Sequence, residues 1–460
     1  MSSDTMAAAG GARTLGVRAD PVTNFYTSHP YPPPVASLDR ARDEWQDENR
    51  HRAEYHLLWP ARSYRGDLDI LVAGCGTWQA AKYALCRPDA RVVGIDVSTT
   101  SLDHTQRLKR QYNLSNLELQ QLPIEHVERL ERRFDLIVCT GVLHHLADPD
   151  AGLRALRFML RPEGALYLMV YAPYGRTGVS MLRDYCRRLG VETSKKEIAD
   201  LAAVLEVLPQ HHPLVGLLRG SRDSGNADAL ADALLNPRER SYSVPQLFDF
   251  LEHNGLTLGR WYWQAPYLPQ CGALSATPHA ARLAALPERE QYAAVELWRG
   301  AMSTHSVIAY RSDTNAGRLK IGFADPEPRA SASAEATADK PGREPPPPLK
   351  RRRTSRAPSF DDGRWRRYVP IRLPSTMCVQ ERLPAGAAAV LLNKSHPHHD
   401  LILVIGPREK RMFDAIDGRR SIREIVHHAR DDDEAWQAAT SFFEKLWRYD
   451  QVVFDASTPG

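Results

Sequence analysis

The sequence predicts an α/β fold built on a Rossmann-like, doubly wound, mostly parallel sheet, and three patterns support this. Short apolar runs alternate with segments rich in helix formers between residues 69 and 170. The first run, Ile70 to Ala73, ends in Gly74-Cys75-Gly76, and the next, Val92 to Ile95, ends on Asp96. Alternating strands and helices give a parallel sheet with helices on both faces, and ligands bind at the carboxyl ends of its strands.

Apolar runs bounded by turn residues predict where the elements lie. Seven strands are expected, at residues 69–73, 91–96, 117–121, 136–140, 165–170, 258–263 and 305–310. Helices are expected at 101–111 and 151–160, and after Ser243, which is placed as an N-cap with Pro245 near the helix start. Two helical insertions, about 174–240 and 278–300, interrupt the alternation, and the first is predicted to form a cap.

The chain has 460 residues, 43% of them apolar, which is enough for two or three domains. Its net charge of +4 argues against an obligate nucleic-acid binder. Six scattered cysteines without a C-x-x-C pair predict a reducing compartment and no metal site. No 18-residue apolar run is present, so we expect no membrane span and a cytoplasmic protein.

Composition divides the chain into five predicted parts. Residues 1–22 are expected to be a disordered tail, and 314–362, rich in Ala, Ser, Pro and charge, a disordered linker. Residues 23–60 combine an aromatic and proline-rich strap, predicted to be extended and to close over the ligands, with a helix at 38–58. The main domain spans 61–313 and a second, small domain spans 363–457.

The glycine pair and Asp96 carry the first functional prediction. Glycines let the backbone approach a ligand without an intervening Cβ, and the following helix N-terminus offers free N–H groups. Asp96 lies twenty residues beyond Gly76, where nucleotide-binding folds place an acid on the ribose hydroxyls. The alternative role of Asp96 is to cap the helix that begins near Ser98. A dinucleotide pattern is incomplete, because Gln79 occupies its sixth position.

Four segments together identify a family resemblance. G-C-G-T with G-I-D-V-S, F-D-L-I-V-C at 134–139, L-H-H-L-A-D-P at 143–149 and L-R-P-E-G-A-L at 160–166 resemble class I S-adenosylmethionine-dependent methyltransferases. The resemblance implies that S-adenosyl-L-methionine is bound by residues at the ends of strands one to four: Gly74, Cys75, Gly76, Asp96, Val97, Gln121, Leu122, Thr140 and Gly141. Two positions depart from the family pattern, Val72 in place of an acid and Trp78 in place of a glycine.

Methyl transfer from a sulfonium mainly needs positioning, exclusion of water and, for many acceptors, a proton acceptor. His144 and His145 are the candidate bases, and at most one should face the acceptor because adjacent residues diverge on a turn. Their alternative role is to fix the loop structurally. A pocket lined by aromatic residues is expected to hold the acceptor, and the candidates are Tyr26, Tyr31, Tyr171, Tyr174 and Tyr242.

The small domain reads as strands at 390–392 and 401–405, a helix-turn-helix over 413–426, a helix at 435–449 and a strand at 451–454. This pattern resembles PqqD-like winged-helix domains, which bind leader peptides. Because the linker would only tether this domain, a chain ending near residue 315 is expected to fold alone.

Three functions remain open. The first is methyl transfer to an O or N atom of a small, natural-product-like molecule. The second is methyl transfer to a peptide or protein held by the small domain. The third is a non-catalytic, cofactor-binding regulator. The acceptor atom and the oligomeric state are left open by the sequence.

Overall fold

The structure is a computed structural model that describes residues 20–220, 225–314, 360, 363–427 and 433–457. The predicted linker and nearly all of the predicted tail lie outside these residues. Within them, the central sheet has seven strands in the order β3-β2-β1-β4-β5-β7-β6, and β7 runs antiparallel to both of its neighbours. The strands are β1 Asp69–Ala73, β2 Arg91–Asp96, β3 Leu117–Gln121, β4 Phe134–Thr140, β5 Leu160–Tyr171, β6 Leu256–Trp261 and β7 Thr304–Arg311.

The predicted Rossmann-like sheet is confirmed, and the first three strands match to the residue. β4, β5 and β7 are longer than expected, and β6 begins two residues earlier. The early start of β6 follows from Gly255, whose φ of +69° ends the preceding helix immediately before Leu256. The predicted capping of that helix by Ser243 is also present, with Gln246 completing a capping box.

Helices surround the sheet and build the cap. The helices before and within the main domain are α1 Pro21–Ser28, α2 Asp39–Glu44, α3 Glu48–Leu58, α4 Gln79–Cys86, α5 Thr99–Gln111, α6 Pro149–Met159, α7 Thr177–Leu189, α8 Lys195–Glu206, α9 Pro213–Gly220, α10 Ala227–Leu235, α11 Val244–His253, α12 Ala280–Ala284 and α13 Glu288–Arg299. The four helices α7 to α10, called the cap below, share their own apolar cluster with Phe25 of α1.

The sheet is buried on both faces. In β1, Leu71 and Ala73 face the side covered by α6, α11 and α13, while Ile70 and Val72 face α3, α4 and α5. Strands covered on both sides need apolar residues throughout rather than alternation, and every residue of β1 is buried. The carboxyl ends of β1 to β4 therefore meet at one edge above a rigid base.

The N-terminal segment differs from the expected extended strap. Residues 21–28 form α1, because the Asp20 side chain accepts a bond from Val22 N and Pro21 occupies the first turn. The expected single helix at 38–58 is two helices, α2 and α3, separated at the buried Trp45. Only residues beyond α1 keep the extended form that the prolines favour.

The small domain has three helices and two small sheets within the described residues. Its elements are β8 Val369–Arg372, β9 Thr376–Val379, β10 Ala389–Asn393, β11 Ile402–Ile405, α14 Pro407–Asp414, α15 Ile422–His427, α16 Asp433–Arg448 and β12 Val452–Asp455. Strands β8 and β9 were missed by the sequence analysis. The winged-helix assignment and the PqqD-like binding of a peptide remain predictions.

The expectation that this domain is only tethered is wrong. Ile371, Leu373 and Val453 join the apolar cluster that covers Ile308 and Tyr310 on one face of the central sheet. The small domain therefore fills part of a layer that helices occupy elsewhere on this sheet. Without the small domain, the side chains that it covers on the main domain would be exposed to solvent. Their burial stabilises the contact between the two domains.

Polar contacts reinforce this docking. Arg260 of β6 donates to the Asp450 carboxylate at 3.1 Å, and Ala265 N donates to its second oxygen at 2.8 Å. Gln264 Nε2 donates to the Trp447 carbonyl at 2.7 Å. Asp450 is fully buried and Arg260 is mostly covered, and burial raises the pKa of Asp450 to about 7.

Candidate cofactor and acceptor site

Two positions in the loop after β1 accept only glycine. Gly74 and Gly76 have φ values of +70° and +56°. A Cβ on Gly74 would lie 2.4 Å from Val142 Cγ2, and one on Gly76 would lie 2.7 Å from Pro32 Cδ. The amides of Gly74 and Cys75 both donate to the Ile95 carbonyl at 2.9 Å. The loop is thereby clamped between β2, the segment after β4 and the N-terminal segment.

Asp96 is held by two backbone amides at the end of β2. Its Oδ2 accepts from Gly76 N at 2.8 Å and its Oδ1 from Ser98 N at 2.9 Å. Burial raises the pKa of this carboxyl, and the amide bonds act against that effect. Ser98, and not Asp96, is the N-cap of α5, so the alternative role does not apply. Each oxygen keeps lone-pair capacity for one further donor, which fits a ribose diol.

The other predicted cofactor residues gather at the same edge. Thr140 ends β4 and accepts from Gln79 Nε2 at 2.9 Å, and Gly141 follows with a φ of +78°. Gln121 Nε2 donates to the Val97 carbonyl at 3.1 Å, which ties the ends of β2 and β3 together. Leu122 and Cys75 differ from the rest. Their side chains are buried in the two apolar clusters, so they line the edge with backbone atoms.

The two departures from the family pattern are accommodated away from this edge. Val72 is fully buried between β2 and β4. Trp78 precedes α4 and packs on the apolar cluster beside it, with Lys82 Nζ 5.7 Å from its ring centroid. Among the contacts of the described residues, neither side chain forms a hydrogen bond with Gly76 or Ser98, which hold Asp96.

The two histidines have different surroundings, as expected for adjacent residues on a turn. The ring of His144 lies 3.9 Å from that of Tyr171, and neither of its nitrogens has a hydrogen-bond partner among the described residues. His145 Nδ1 donates to the Arg238 carbonyl at 2.6 Å, which leaves Nε2 as a bare lone pair. Burial lowers the pKa of both, most strongly for His144, so both stay neutral near pH 7.

A hydrogen-bond network connects α1 to the cap beside His145. The Tyr26 hydroxyl donates to Asp232 Oδ1 at 2.8 Å and accepts from Asn236 Nδ2 at 3.0 Å. The Tyr26 ring meets that of His145 edge-on at 5.9 Å. Burial, followed by the charge of Asp232, raises the pKa of Tyr26 well above its usual range. Tyr26 therefore keeps its proton and its donor role.

A cavity of about 170 Å³ lies between the cap and this network. It is lined by Tyr31 and Tyr171, by the polar side chains of Arg176 and Asp232, and by an apolar wall from the cap: Val179, Leu214, Leu217, Leu218, Ala229, Leu230, Ala233 and Leu234. The Arg176 guanidinium lies 3.6 Å from the Tyr171 ring centroid and pairs with Glu239 at 2.9 Å. The pocket is thus mainly apolar, with two polar groups at fixed positions.

Two of the five predicted acceptor-binding tyrosines lie elsewhere. Tyr174 is 40% exposed on a short helical turn after β5. Tyr242 stacks on Phe250 at 4.9 Å and packs against the main apolar cluster. Both were proposed because aromatic side chains can line an acceptor pocket, and residue type alone does not tell which aromatic side chains face the pocket. Tyr31 and Tyr171 line the cavity, and Tyr26 reaches it through Asp232.

Asp232, Asn236 and Arg176 were missed by the sequence analysis. A signal existed for the first two. Asp228, Asp232 and Asn236 recur every four residues on an otherwise apolar helix, which places them on one face. All three face the N-terminal segment, where His29 pairs with Asp228 at 3.1 Å. Arg176 had no local signal, because its partner Glu239 lies 63 residues away.

Comparison with known proteins decides the class of the main domain. A family model described as a methyltransferase domain matches residues 71–166. That range runs from β1 into β5 and contains the glycine loop, Asp96 and both histidines. The chain contains a class I S-adenosylmethionine-dependent methyltransferase domain. S-adenosyl-L-methionine is therefore its cofactor. The unused lone pairs of the Asp96 carboxylate fit its ribose hydroxyls, and the glycine loop lets the backbone approach the molecule.

Several relatives resemble parts of this chain. An uncharacterized protein of Synechococcus sp. is 30% identical over 245 residues, which is 51% of this chain and 58% of its own length. Ubiquinone biosynthesis O-methyltransferase of Acinetobacter baylyi is 24% identical over 145 residues, 30% of this chain and 60% of its own length. The chain thus spans about three fifths of the length of the curated relatives it matches.

One solved structure resembles most of the chain. PKMT2 from Rickettsia typhi covers 89% of this chain and 75% of its own, with a TM-score of 0.57 and 14% identity. Its complex with AdoHcy gives a TM-score of 0.54. At this identity the likeness concerns the fold alone. Within the described ranges, no helix is long and apolar enough to cross a membrane, and no group of three metal-ligating side chains is present.

Proposed function

We propose that the chain transfers a methyl group to an O or N atom of a small, natural-product-like molecule held in the cap cavity. The observation that carries this proposal is the position of the cavity. Tyr31, one of its walls, places its carbonyl 3.1 Å from where a Gly76 Cβ would lie. Tyr171, another wall, packs on His144. The cavity therefore adjoins both the cofactor loop and the histidine pair.

Each residue of the site then has a role. When bound, S-adenosyl-L-methionine supplies a methyl group activated on a sulfonium. Asp96 accepts hydrogen bonds from the ribose, and the glycine loop lets the backbone approach. His145 takes the acceptor proton on Nε2, because its Nδ1–H is fixed by the Arg238 carbonyl. His144 packs on Tyr171 and supports the turn, since its ring is covered by that contact.

The cavity indicates the kind of acceptor. Its volume of about 170 Å³ is below the usual range for drug-sized ligands and suits a small molecule. Its wall is apolar, so the acceptor should carry little charge where it meets the cap. The relative named for ubiquinone biosynthesis is an O-methyltransferase, and this supports an oxygen atom as the acceptor.

Filling the cavity tests the proposal. Leu230→Trp places a larger side chain in the cavity wall, away from the residues that hold the cofactor. Leu189→Trp adds the same bulk at an exposed position of α7 and serves as the matched control. We expect wild type and control to form S-adenosylhomocysteine with small phenols or amines, and Leu230→Trp to lose this activity while still binding cofactor.

Equal turnover of Leu230→Trp and the control would remove the cavity from the reaction. Turnover of a peptide but of no small phenol or amine would instead support the second function. Cofactor binding without turnover of any acceptor by the wild type would support the regulator.

A further inference from the structure

A second cavity lies in the small domain and has a different character. It has a volume of about 310 Å³ and is lined by Gly363, Arg366, Arg367, Arg423, His427 and Trp436. Its arginines come from two elements, the helical turn Gly363–Arg367 and helix α15. None of these residues belongs to the cofactor and acceptor site, so the proposed methyl transfer does not account for them.

The charge that the described residues place around this cavity is positive, since its lining has three arginines and no acid. Among the described residues, no carboxylate lies within ion-pair distance of Arg366, Arg367 or Arg423. Glu424, next to Arg423 in the chain, accepts from Ser421 N at 2.7 Å, and Asp417 pairs with Arg420 at 2.9 Å. Three cations that share one concave surface repel one another, and a bound anion removes that repulsion.

The arginines are also oriented. The Arg366 guanidinium lies 4.3 Å from the ring centroid of Trp436, a distance at which a cation is attracted to the ring face. Arg423 Nε donates to His427 Nε2 at 3.3 Å, which directs its remaining N–H groups elsewhere. Guanidinium groups bind phosphate and carboxylate oxygens in pairs, and a phosphate dianion has three acceptor oxygens for three such groups.

We propose that this cavity binds a phosphate dianion, as free phosphate or as the phosphoryl group of a small organic molecule. The site is separate from the methyltransferase site and stands without it. Of the neighbouring arginines Arg419, Arg420 and Arg423, only Arg423 lines the cavity. The other two are paired at its outside, which favours a compact anion over an extended one.

Calorimetry on the full chain tests this site with inorganic phosphate as the probe. Arg366→Gln/Arg423→Gln removes two of the three guanidinium groups and should weaken binding by tenfold or more. Arg419→Gln/Arg408→Gln removes the same charge outside the cavity and should change affinity less than twofold. Because the altered side chains are surface arginines, thermal unfolding should match between the variants. If the first variant unfolds early, Arg367→Gln alone provides the comparison.

Two further measurements are needed. One distinguishes free phosphate from an organic phosphate, and the other tests whether the chain's own acids neutralise the arginines. Tighter binding of O-phosphoserine than of phosphate assigns an organic phosphate, whereas equal or weaker binding assigns free phosphate. The acids Asp361, Asp362, Asp431 and Asp432 are close in sequence to the lining residues and lie outside the described residues. Phosphate binding seen only after all four are replaced by asparagine would overturn the proposal, as would equal affinity of the Arg366→Gln/Arg423→Gln variant and its control.

Discussion

The N-terminal segment, residues 20–34, and the small domain, 363–457, both pack on the central sheet, but they do so by different means. The N-terminal segment is joined by hydrogen bonds at the ligand edge. Thr77 Oγ1 donates to the Pro32 carbonyl at 2.6 Å and Ser98 Oγ to the Tyr26 carbonyl at 2.9 Å. The small domain is joined by apolar side chains on one face of the sheet and by ion pairs, among them Arg260 with Asp450 and Arg299 with Asp400.

This difference in contacts indicates that the N-terminal segment contributes to the geometry of the site, whereas the small domain contributes to the stability of the fold. Hydrogen bonds near the cofactor loop contribute modest free energy but fix positions within fractions of an ångström. Burial of a sheet face contributes much more free energy without fixing the geometry of a reaction. Changes in the N-terminal segment should therefore alter turnover, and changes in the small domain should alter stability.

Removing the small domain should have the largest effect. A chain ending at residue 315 loses Ile371, Leu373 and Val453 from the sheet face, together with Asp450, the partner of Arg260. Burial of three apolar side chains represents on the order of 5–9 kcal/mol, which is within the range of the stability of a whole domain. Circular dichroism should show no cooperative unfolding. A stable truncated chain that binds cofactor would restore the tether hypothesis.

The histidine pair should affect turnover and leave stability nearly unchanged. His145→Gln removes the bare Nε2 lone pair and should lower turnover by about 10²-fold or more with an acceptor that must lose a proton. His144→Gln is the matched control, and its effect should be smaller because His144 only packs on Tyr171. Calorimetry should show unchanged cofactor affinity in both. Full activity of both variants would assign the pair to loop structure.

The buried Asp450 should make the stability of the docked domains depend on pH. Its pKa is about 7 in the folded chain and near 4 when exposed, so between these values the folded state holds a proton that the unfolded state has lost. Stability contributed by this group is complete below pH 4 and falls as pH rises through 7. Between pH 5 and 8 the loss is about 2–3 kcal/mol.

Urea unfolding at pH 5 and pH 8 measures this effect. Asp450→Asn cannot ionise, so it should lose less stability than the wild type between the two conditions. An equal loss in both proteins would show that Asp450 is already ionised in the folded chain at pH 5.

Loss of a single hydroxyl in α1 should have the smallest effect. Tyr26→Phe removes the donor to Asp232 while keeping the ring beside His145. A hydrogen bond to a charged group is worth about 1.5–3 kcal/mol, and Asn236 still donates to Asp232. We expect about a tenfold loss of turnover. Tyr174→Phe, at an exposed position, is the control, and equal behaviour of the two would separate α1 from the site.

The sequence predicted those features that local patterns encode. The apolar runs located all seven strands of the central sheet, and the glycine loop and Asp96 could be placed because strand ends in a parallel sheet share an edge. Ser243 and Gly255 marked the two ends of α11. These signals depend on neighbours in the chain, so one sequence suffices to read them.

The missed features join residues that are far apart in the chain. Tyr26 and Asp232 are separated by 206 residues, and Arg260 and Asp450 by 190. No periodicity reports such a pair. The sequence of β7 did hold a clue to docking, because Ile308 and Tyr310 alternate with Val307 and Ala309, so that both faces of the strand are apolar. All four residues are buried in the structure. A final strand that is apolar on both faces needs a cover on both, and the small domain provides one of them.

Calorimetry of S-adenosylhomocysteine binding to Asp96→Ala tests the central claim, that the edge formed by the glycine loop and Asp96 holds the cofactor. Asp103→Ala, an exposed acid on α5, is the control for charge, and Asp96→Asn keeps an acceptor if the alanine variant unfolds early. Loss of a charged acceptor for the ribose should weaken binding by about tenfold or more in Asp96→Ala. Equal affinity of wild type, control and Asp96→Ala would contradict the account.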